Sequence, residues 1–296
     1  MNWPLLVLLG ATVGFVSGLF GIGGGFLMAP ILIFMGIPPS VAVASQASHV
    51  VASSTSGVIT YTSQKAVDYR IGGVMALGGV IGALLGVELF RYLRLLGQAD
   101  MAVAVSYLLF LGVIGSLMLY ESLGQILRRV RGEVVPHRER RRPMWLYGLP
   151  LKMRFPRSGL YISAIPPFAL GAFAGILSAI MGVGGGFILV PAMLYVLRMK
   201  AGVVVGTSLF QIIIVTAMTT ILQAGRNQTV DVVLSMLLLV GGVVGAQYGA
   251  RLSGRFRPDV LRAVLGLIVL LVGIQMGLEL FVRPSDLFAF APGVSE

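Results

Sequence analysis

Charge is what this chain most lacks. Only 11% of its 296 residues are Asp, Glu, Lys or Arg, while 57% are hydrophobic. An ordinary soluble domain carries about 25% charged residues. There is too little polar material to coat a water-soluble globule, which excludes a compact soluble fold, a coiled coil and a disordered chain. Cysteine is absent, so disulfides and thiolate metal sites are excluded as well. Hydrolase motifs are missing too: there is no G-x-S-G serine motif, no H-E-x-x-H zinc motif and no G-x-G-D aspartyl motif. Glu88, Glu121 and Glu279 are scattered near the ends of apolar blocks rather than paired. These absences argue against an intramembrane enzyme, and no catalytic residue, metal ligand or cofactor is expected. The start of the chain lacks a basic n-region and a small-residue cleavage site, so the first apolar segment is expected to stay.

What remains is long runs of apolar residues. Residues 1–64 hold no Asp, Glu, Lys or Arg, and His49 is their one side chain that titrates near neutral pH. Further charge-free blocks cover 71–87, 101–120, 158–197, 201–225, 232–250 and 263–278. A membrane-crossing helix needs about 20 mainly apolar residues. The blocks are uniformly apolar, without the period-2 alternation of a membrane barrel. Helices follow, because each satisfies its own backbone in lipid. Strong breakers divide the first block. Gly21-Ile22-Gly23-Gly24-Gly25 and Gly36-Ile37-Pro38-Pro39 predict a span over 3–20, a half-helix over 26–35 and a span over 40–61. The block 158–197 divides in the same way at Gly182-Val183-Gly184-Gly185-Gly186. About eight spans are expected.

The positive charge is concentrated. Of the net +11, a net +8 lies between Arg128 and Arg157, where ten basic residues face only Glu133 and Glu139. The positive-inside rule reads this segment as a cytoplasmic loop. A patch for anionic lipid headgroups is compatible with that reading, and nucleic acid is not needed to explain it. Eight plain crossings would put both termini inside and Arg251, Arg255 and Arg257 outside. Either that outer loop is an exception, or a half-helix pair changes the crossing count.

The two halves are copies. Gly10, Gly14, Ser17, Gly21, Gly23, Gly24, Gly25, Phe26 and Pro30 match Gly171, Gly175, Ser178, Gly182, Gly184, Gly185, Gly186, Phe187 and Pro191 at a constant offset of 161. Asp68, Gly78, Gly79, Gly82 and Gly86 match Asp231, Gly241, Gly242, Gly245 and Gly249 at an offset of 163. The expected fold is an all-α integral membrane protein of about eight transmembrane helices in two homologous four-helix repeats, each with a Gly-broken first segment. Residues 1–125 form the first repeat, 126–158 the basic cytoplasmic inter-repeat loop, and 159–296 the second repeat. Such duplication is characteristic of secondary transporters, which bind substrate between repeats. Parallel and inverted arrangements both remain open. The glycines spaced by four read as a close helix-packing face.

A glycine run at membrane depth frees backbone N–H groups, and the helix after it offers an N-terminus that favours an anion. Gly23, Gly24, Gly25, Gly184, Gly185 and Gly186 are therefore candidate donors to a small anionic substrate. A packing kink is the plain alternative; a nucleotide loop lacks its strand and its G-K-[ST]. Downstream, Ser45 aligns with Thr207, Gln46 with Ser208, and His49 with Gln211, at an offset of 162. Neutral hydroxyls and amides can complete an anion's shell, and they also glue helices together. His49 suits proton coupling; a neutral, hydrogen-bonded structural histidine fits the same position.

At these residues the chain resembles the sulfite exporter TauE/SafE family. The resemblance rests on the duplicated G-[IV]-G-G-G-F-x-x-x-P segment, the small-polar stretch after each copy and the basic loop between them, and it covers roughly residues 5–281. Val205-Gly206-Thr207-Ser208-Leu209 looks like the family pattern, whereas Ala44-Ser45-Gln46-Ala47-Ser48-His49 departs from it by lacking the Thr-Ser pair. The resemblance implies a secondary transporter of the plasma (inner) membrane that exports a small anion, sulfite or an organosulfonate. Two alternatives stand beside it: a membrane scaffold acting through its basic loop, and an uptake permease for another small carboxylate or sulfur anion.

Overall fold

The computed structural model describes residues 3–130, 150–227, 231–253 and 258–282. Among them are ten α-helices and one two-stranded hairpin. The first half comprises α1 (Trp3–Phe20), α2 (Gly25–Phe34), α3 (Pro39–Ser63), α4 (Tyr69–Leu95) and α5 (Ala99–Val130). Antiparallel strands β1 (Lys152–Phe155) and β2 (Leu160–Ser163) follow. The second half comprises α6 (Ile165–Met181), α7 (Gly186–Tyr195), α8 (Ala201–Leu222), α9 (Val232–Ser253) and α10 (Pro258–Val282), with a short π-turn, Gln223–Asn227, closing α8. Eight helices are long, and α2 and α7 are ten-residue half-helices. Five helices, those starting at Trp3, Tyr69, Ala99, Gly202 and Val232, are long and apolar enough by composition to cross a membrane.

Most of the basic inter-repeat segment, including Arg131, Arg138 and Arg140 to Arg142, lies outside the described residues. Its start is helical, because α5 runs on to Val130, and its end is the β-hairpin. The hairpin is short but anchored. Arg157 donates to Val67 O at 2.6 Å and stacks over the Tyr69 ring at 5.4 Å, and Arg154 lies over Tyr161 at 5.7 Å.

The chain is built apolar outside and polar inside, as a lipid solvent demands. On α4, Leu77, Ile81 and Leu85 are exposed, while Gly78, Gly82 and Gly86 face inward. On α9, Val240, Val244 and Tyr248 are exposed and Gly241, Gly245 and Gly249 are buried. Ser17, Ser45, Gln46, His49, Ser53, Ser54, Thr207, Ser208, Gln211 and Thr216 are all buried.

The glycine faces pair across the halves. A methyl at Gly10, Gly14 or Gly18 of α1 would strike the backbone of Leu238, Gly242 or Ala246 of α9, so α1 and α9 run parallel. A methyl at Gly78, Gly82 or Gly86 of α4 would strike Phe168, Ala172 or Ile176 of α6, so these two also run parallel. Close approach of this kind is what small residues permit in membrane bundles. Helix α3 runs with α1 and α9: His49 Nε2 lies 3.3 Å from Gly10 O, and Tyr61 donates to Gly18 O at 3.3 Å. Helix α8 runs with α4, Gly72 lying against Phe210 and Gly79 against Val215. Between α3 and α8 the order reverses, Gly57 meeting Leu209 and Gly206 meeting Tyr61. The set α1, α3, α9 therefore points opposite to the set α4, α6, α8.

The broken segments are hairpins. Gly25 at the start of α2 touches Val50 in the middle of α3, and α2 ends only five residues before Pro39 starts α3. Helix α2 thus turns back toward the end where α1 began. Consequently α3, α9 and α5 end where the β-hairpin lies, and Arg251 shares that end with Lys65, Arg70 and the hairpin's Lys152, Arg154 and Arg157. Of the two readings offered for the outer arginines, the half-helix pair is the one that the structure takes.

Candidate functional site

The two glycine turns meet at the centre of the bundle. A Cβ at Gly25 would lie 2.8 Å from Val183 Cα, and one at Gly186 would lie 2.7 Å from the Ile22 carbonyl carbon. The ring centroids of Phe26 and Phe187 are 6.5 Å apart. Val50 of α3 and Ile212 of α8, which align with each other at the 162 offset, fill the space between the turns; both lie against Gly23 and both against Gly184. Thr216 Oγ1 stands 2.7 Å from a Cβ placed at Gly184. The glycines are required here. Gly24 and Gly185 are the N-caps of α2 and α7, and they hold φ of +70° and +72°. A residue with a side chain pays roughly 1–2 kcal/mol to sit there.

No side chain caps either half-helix. In α2 the first carbonyl-bonded amides are Leu27 and Met28, both donating to Gly24 O; in α7 they are Ile188 and Leu189, donating to Gly185 O. The amides ahead of them are the orphan donors of a helix start. Several buried side-chain atoms in the core helices have no hydrogen-bond partner, and one of them stands beside a turn. Ser17 Oγ lies 3.3 Å from a Cβ at Gly24 and has no hydrogen-bond partner. Its repeat mate Ser178 is likewise without one, as are Gln46 Oε1, His49 Nδ1, Ser54 Oγ and both side-chain heteroatoms of Gln211. All of these sit on α1, α3, α6 or α8. Buried polar atoms are seldom left unpaired.

The polar residues expected around the anion divide into three pairs. Ser45 and Thr207 sit at the two ends of the bundle, where each accepts a hydrogen bond at 2.9 Å from the backbone amide of an aspartate in the other half: Thr207 Oγ1 from Asp68, Ser45 Oγ from Asp231. Each aspartate caps the following helix, Asp68 accepting from Arg70 and Ile71 and Asp231 from Leu234. Asp68 also accepts twice from Ser158 of the β1–β2 turn, at 2.9 and 2.7 Å. Gln46 and Ser208 hold the turns from across the halves. Gln46 Nε2 donates to Met181 O at 2.8 Å, and Ser208 Oγ to Gly21 O at 3.0 Å. His49 and Gln211 face the helix crossings instead. A methyl at Gly242 would strike the His49 ring, and one at Gly79 would come 2.8 Å from Gln211 Nε2.

Some contributors were not selected from the sequence. Tyr107 of α5, fully buried, donates to Met181 O at 2.7 Å and contacts Gln46 Nε2 at 3.2 Å. It lies in an ordinary apolar run with nothing local to distinguish it. Ser17 and Ser178 were visible as a matched pair, and that match was their signal.

An all-helical bundle with an apolar exterior, a buried polar interior and two broken helices meeting at its centre is the build of a multi-pass membrane transporter. The comparisons with known proteins agree. The model of the sulfite exporter TauE/SafE family matches residues 6–276, and the chain belongs to that family. It is 27% identical over 274 residues to "Probable membrane transporter protein YjnA" of Bacillus subtilis, covering 92% of this chain and 98% of that protein. It is 30% identical over 272 residues to a "Probable membrane transporter protein" of Xylella fastidiosa, covering 90% and 92%. "Sulfite exporter TauE/SafE family protein 3" of Arabidopsis thaliana matches at 30% over 125 residues, 40% of this chain and 26% of that protein. No solved structure matches.

Proposed function

We propose that this transporter carries a small anion, sulfite or an organosulfonate, out of the cytoplasm, and that the two facing glycine turns hold it. The observation that carries the reading is the meeting of two uncapped half-helix N-termini, with the unpartnered Ser17 hydroxyl beside the first. Gly23 to Gly25 and Gly184 to Gly186 donate backbone N–H groups to the anion. Gln46 and Ser208 set the shape of the turns, and Ser45 and Thr207 brace the α3–α9 and α8–α4 contacts. The halves act as inverted copies, a reading supported by the opposed directions of α1, α3, α9 and α4, α6, α8. Rocking of the two sets about Val50 and Ile212 then exposes the turns to each side in alternation.

Orientation follows from charge. Lys65, Arg70, Lys152, Arg154, Arg157, Arg198, Lys200 and Arg251 lie at the hairpin end, against Arg91, Arg94 and Arg226 at the other. This bias supports a cytoplasmic hairpin end. The test is flux in proteoliposomes with sulfite, sulfoacetate, thiosulfate and lactate. Folded Gly24→Val and Gly185→Val variants are expected to lose transport. Normal flux through either variant would refute the glycine site, and no flux of any anion through the unaltered chain would favour a scaffold.

A further inference from the structure

We infer that Tyr107 and Gln46 form a one-sided latch that shuts the end of the pathway remote from the β-hairpin more firmly than the hairpin end, so that the chain rests biased toward opening on the hairpin side. This rests on the rocking of the two helix sets proposed above and not on which anion is carried. Side-chain bonds cross between those sets at two levels. At one, Gln46 of α3 reaches Met181 O at the end of α6; at the other, Ser208 of α8 reaches Gly21 O just past α1. Helix α3 passes both levels. Gly57, eleven residues after Gln46, meets Leu209 beside Ser208, which sets the levels about 16 Å apart along the bundle. The Gln46 level is the one remote from the hairpin. Gln46 lies only seven residues after Pro39, the start of α3, where Ser40 N donates to Asp100 Oδ1 at the start of α5.

The two levels are bonded unequally. Gln46 Nε2 places both of its protons, one on Met181 O at 2.8 Å and one on Tyr107 Oη at 3.2 Å. The Tyr107 hydroxyl donates its own proton to Met181 O at 2.7 Å. Met181 O thus accepts two bonds, one for each lone pair. Tyr107 Oη also lies 3.5 Å from Gly25 O, at the start of the first half-helix. At the other level Ser208 has a single proton and two acceptors competing for it, Gly21 O at 3.0 Å and Val205 O of its own helix at 2.9 Å. The repeat supplies no second tyrosine there. Helices α5 and α10 correspond at an offset of 158, which pairs Leu111 with Val269 and Gly115 with Gly273. Their contacts are reciprocal, Gly115 lying against Val269 and Gly273 against Leu111. The same offset puts Leu265, buried and apolar, where Tyr107 stands in the first half. The hydroxyl is an addition to one half only, and opening of the remote end must break its bond to Met181 O. With the hairpin end inside, the firmly shut end faces outward, and substrate meets the site from the cytoplasm first, the order that export requires.

The experiment exploits the absence of native cysteine. Val43 and Val205 are repeat mates at the two levels, Val43 O lying against Gly182 and the Val205 side chain against Gly21. Val43→Cys and Val205→Cys are made singly in the full chain and purified in detergent, where a thiol-reactive maleimide reaches both ends. The labelling rate then reports the opening of the mouth that carries the thiol. Adding Tyr107→Phe should raise labelling at Val43→Cys about fivefold, the worth of one hydrogen bond, and leave Val205→Cys without such a rise. Gln46→Leu should act in the same direction. Ser208→Ala should act in the opposite one, raising labelling at Val205→Cys. An unchanged rate at Val43→Cys with Tyr107→Phe would overturn the latch. So would an equal rise at both reporters, which is what a merely structural bond gives when its loss loosens the whole bundle. If Ser208→Ala still moves Val205→Cys in those cases, the rocking of the two sets stands without the latch; if no variant moves either reporter, both fall.

Discussion

Replacing Gly82 by alanine tests the glycine ladder on which the fold depends. The added methyl would stand 2.7 Å from the carbonyl carbon of Ala172 and 2.9 Å from its Cα. Carbon atoms rest about 3.5–4.0 Å apart, so α4 and α6 must separate by about 1 Å. The separation cannot stay local, because Gly78 and Gly86 lie against Phe168 and Ile176 on the same face. Overpacking a close interface costs typically 1–3 kcal/mol, about the range for inserted methyl groups. Alanine also gains about 1 kcal/mol over glycine in helix propensity, which confuses a single measurement. Gly73 removes that ambiguity. It lies on the same helix and has nothing within 4 Å of its added Cβ. Gly73→Ala and Gly82→Ala then share the propensity gain and differ by the packing cost alone. In detergent, the apparent Tm of Gly82→Ala should fall below that of Gly73→Ala by at least about 2 °C, taking about 2–4 °C per kcal/mol. Gly245→Ala, whose methyl would meet the Ala11 carbonyl carbon at 2.8 Å, should behave as Gly82→Ala does. Equal melting of Gly73→Ala and Gly82→Ala would refute the close α4–α6 packing.

Other perturbations address the polar interior. Thr207→Val keeps the side chain's shape but leaves the Asp68 amide without its acceptor, and Ser45→Ala does the same to Asp231; each should cost about 1–3 kcal/mol in thermal melts, and unchanged melting would dissolve the two cross-half braces. Tyr107→Phe and Gln46→Leu share partners at Met181 O, so a double-mutant cycle on apparent stability should show coupling of about 0.5–3 kcal/mol, while strict additivity would break up the cluster. His49→Gln should flatten the pH dependence of transport if protonation of His49 is part of the cycle, and an unaltered profile would remove it from the mechanism.

Helix positions were largely legible because lipid makes apolar length and glycine breaks decisive. The span over 3–20 is α1, and the half-helix expected at 26–35 is α2, one residue earlier at Gly25–Phe34. The β-hairpin was not legible, since its four-residue strands lie at the edge of a basic segment with no alternating pattern. At the site, alignment of the halves paired Ser45 with Thr207 and Gln46 with Ser208 correctly. It could not say where each hydroxyl or amide points, because its target always belongs to the other half. Ser45 and Thr207 therefore read as anion ligands from sequence, yet meet aspartate amides 186 and 139 residues away. The apolar Val50 and Ile212 drew no notice for the opposite reason: nothing marks one aliphatic residue among many until the turns it touches are brought together.

The crossed pairing of α1 with α9 and of α4 with α6 has a bearing on how such a molecule is made. Neither half can bury its own glycine face, because the surface that covers it is synthesised on the other side of residue 150. Insertion must leave α1 and α4 waiting in lipid until their mates emerge, and the last cross-half contact, of α10 with α5, completes the core.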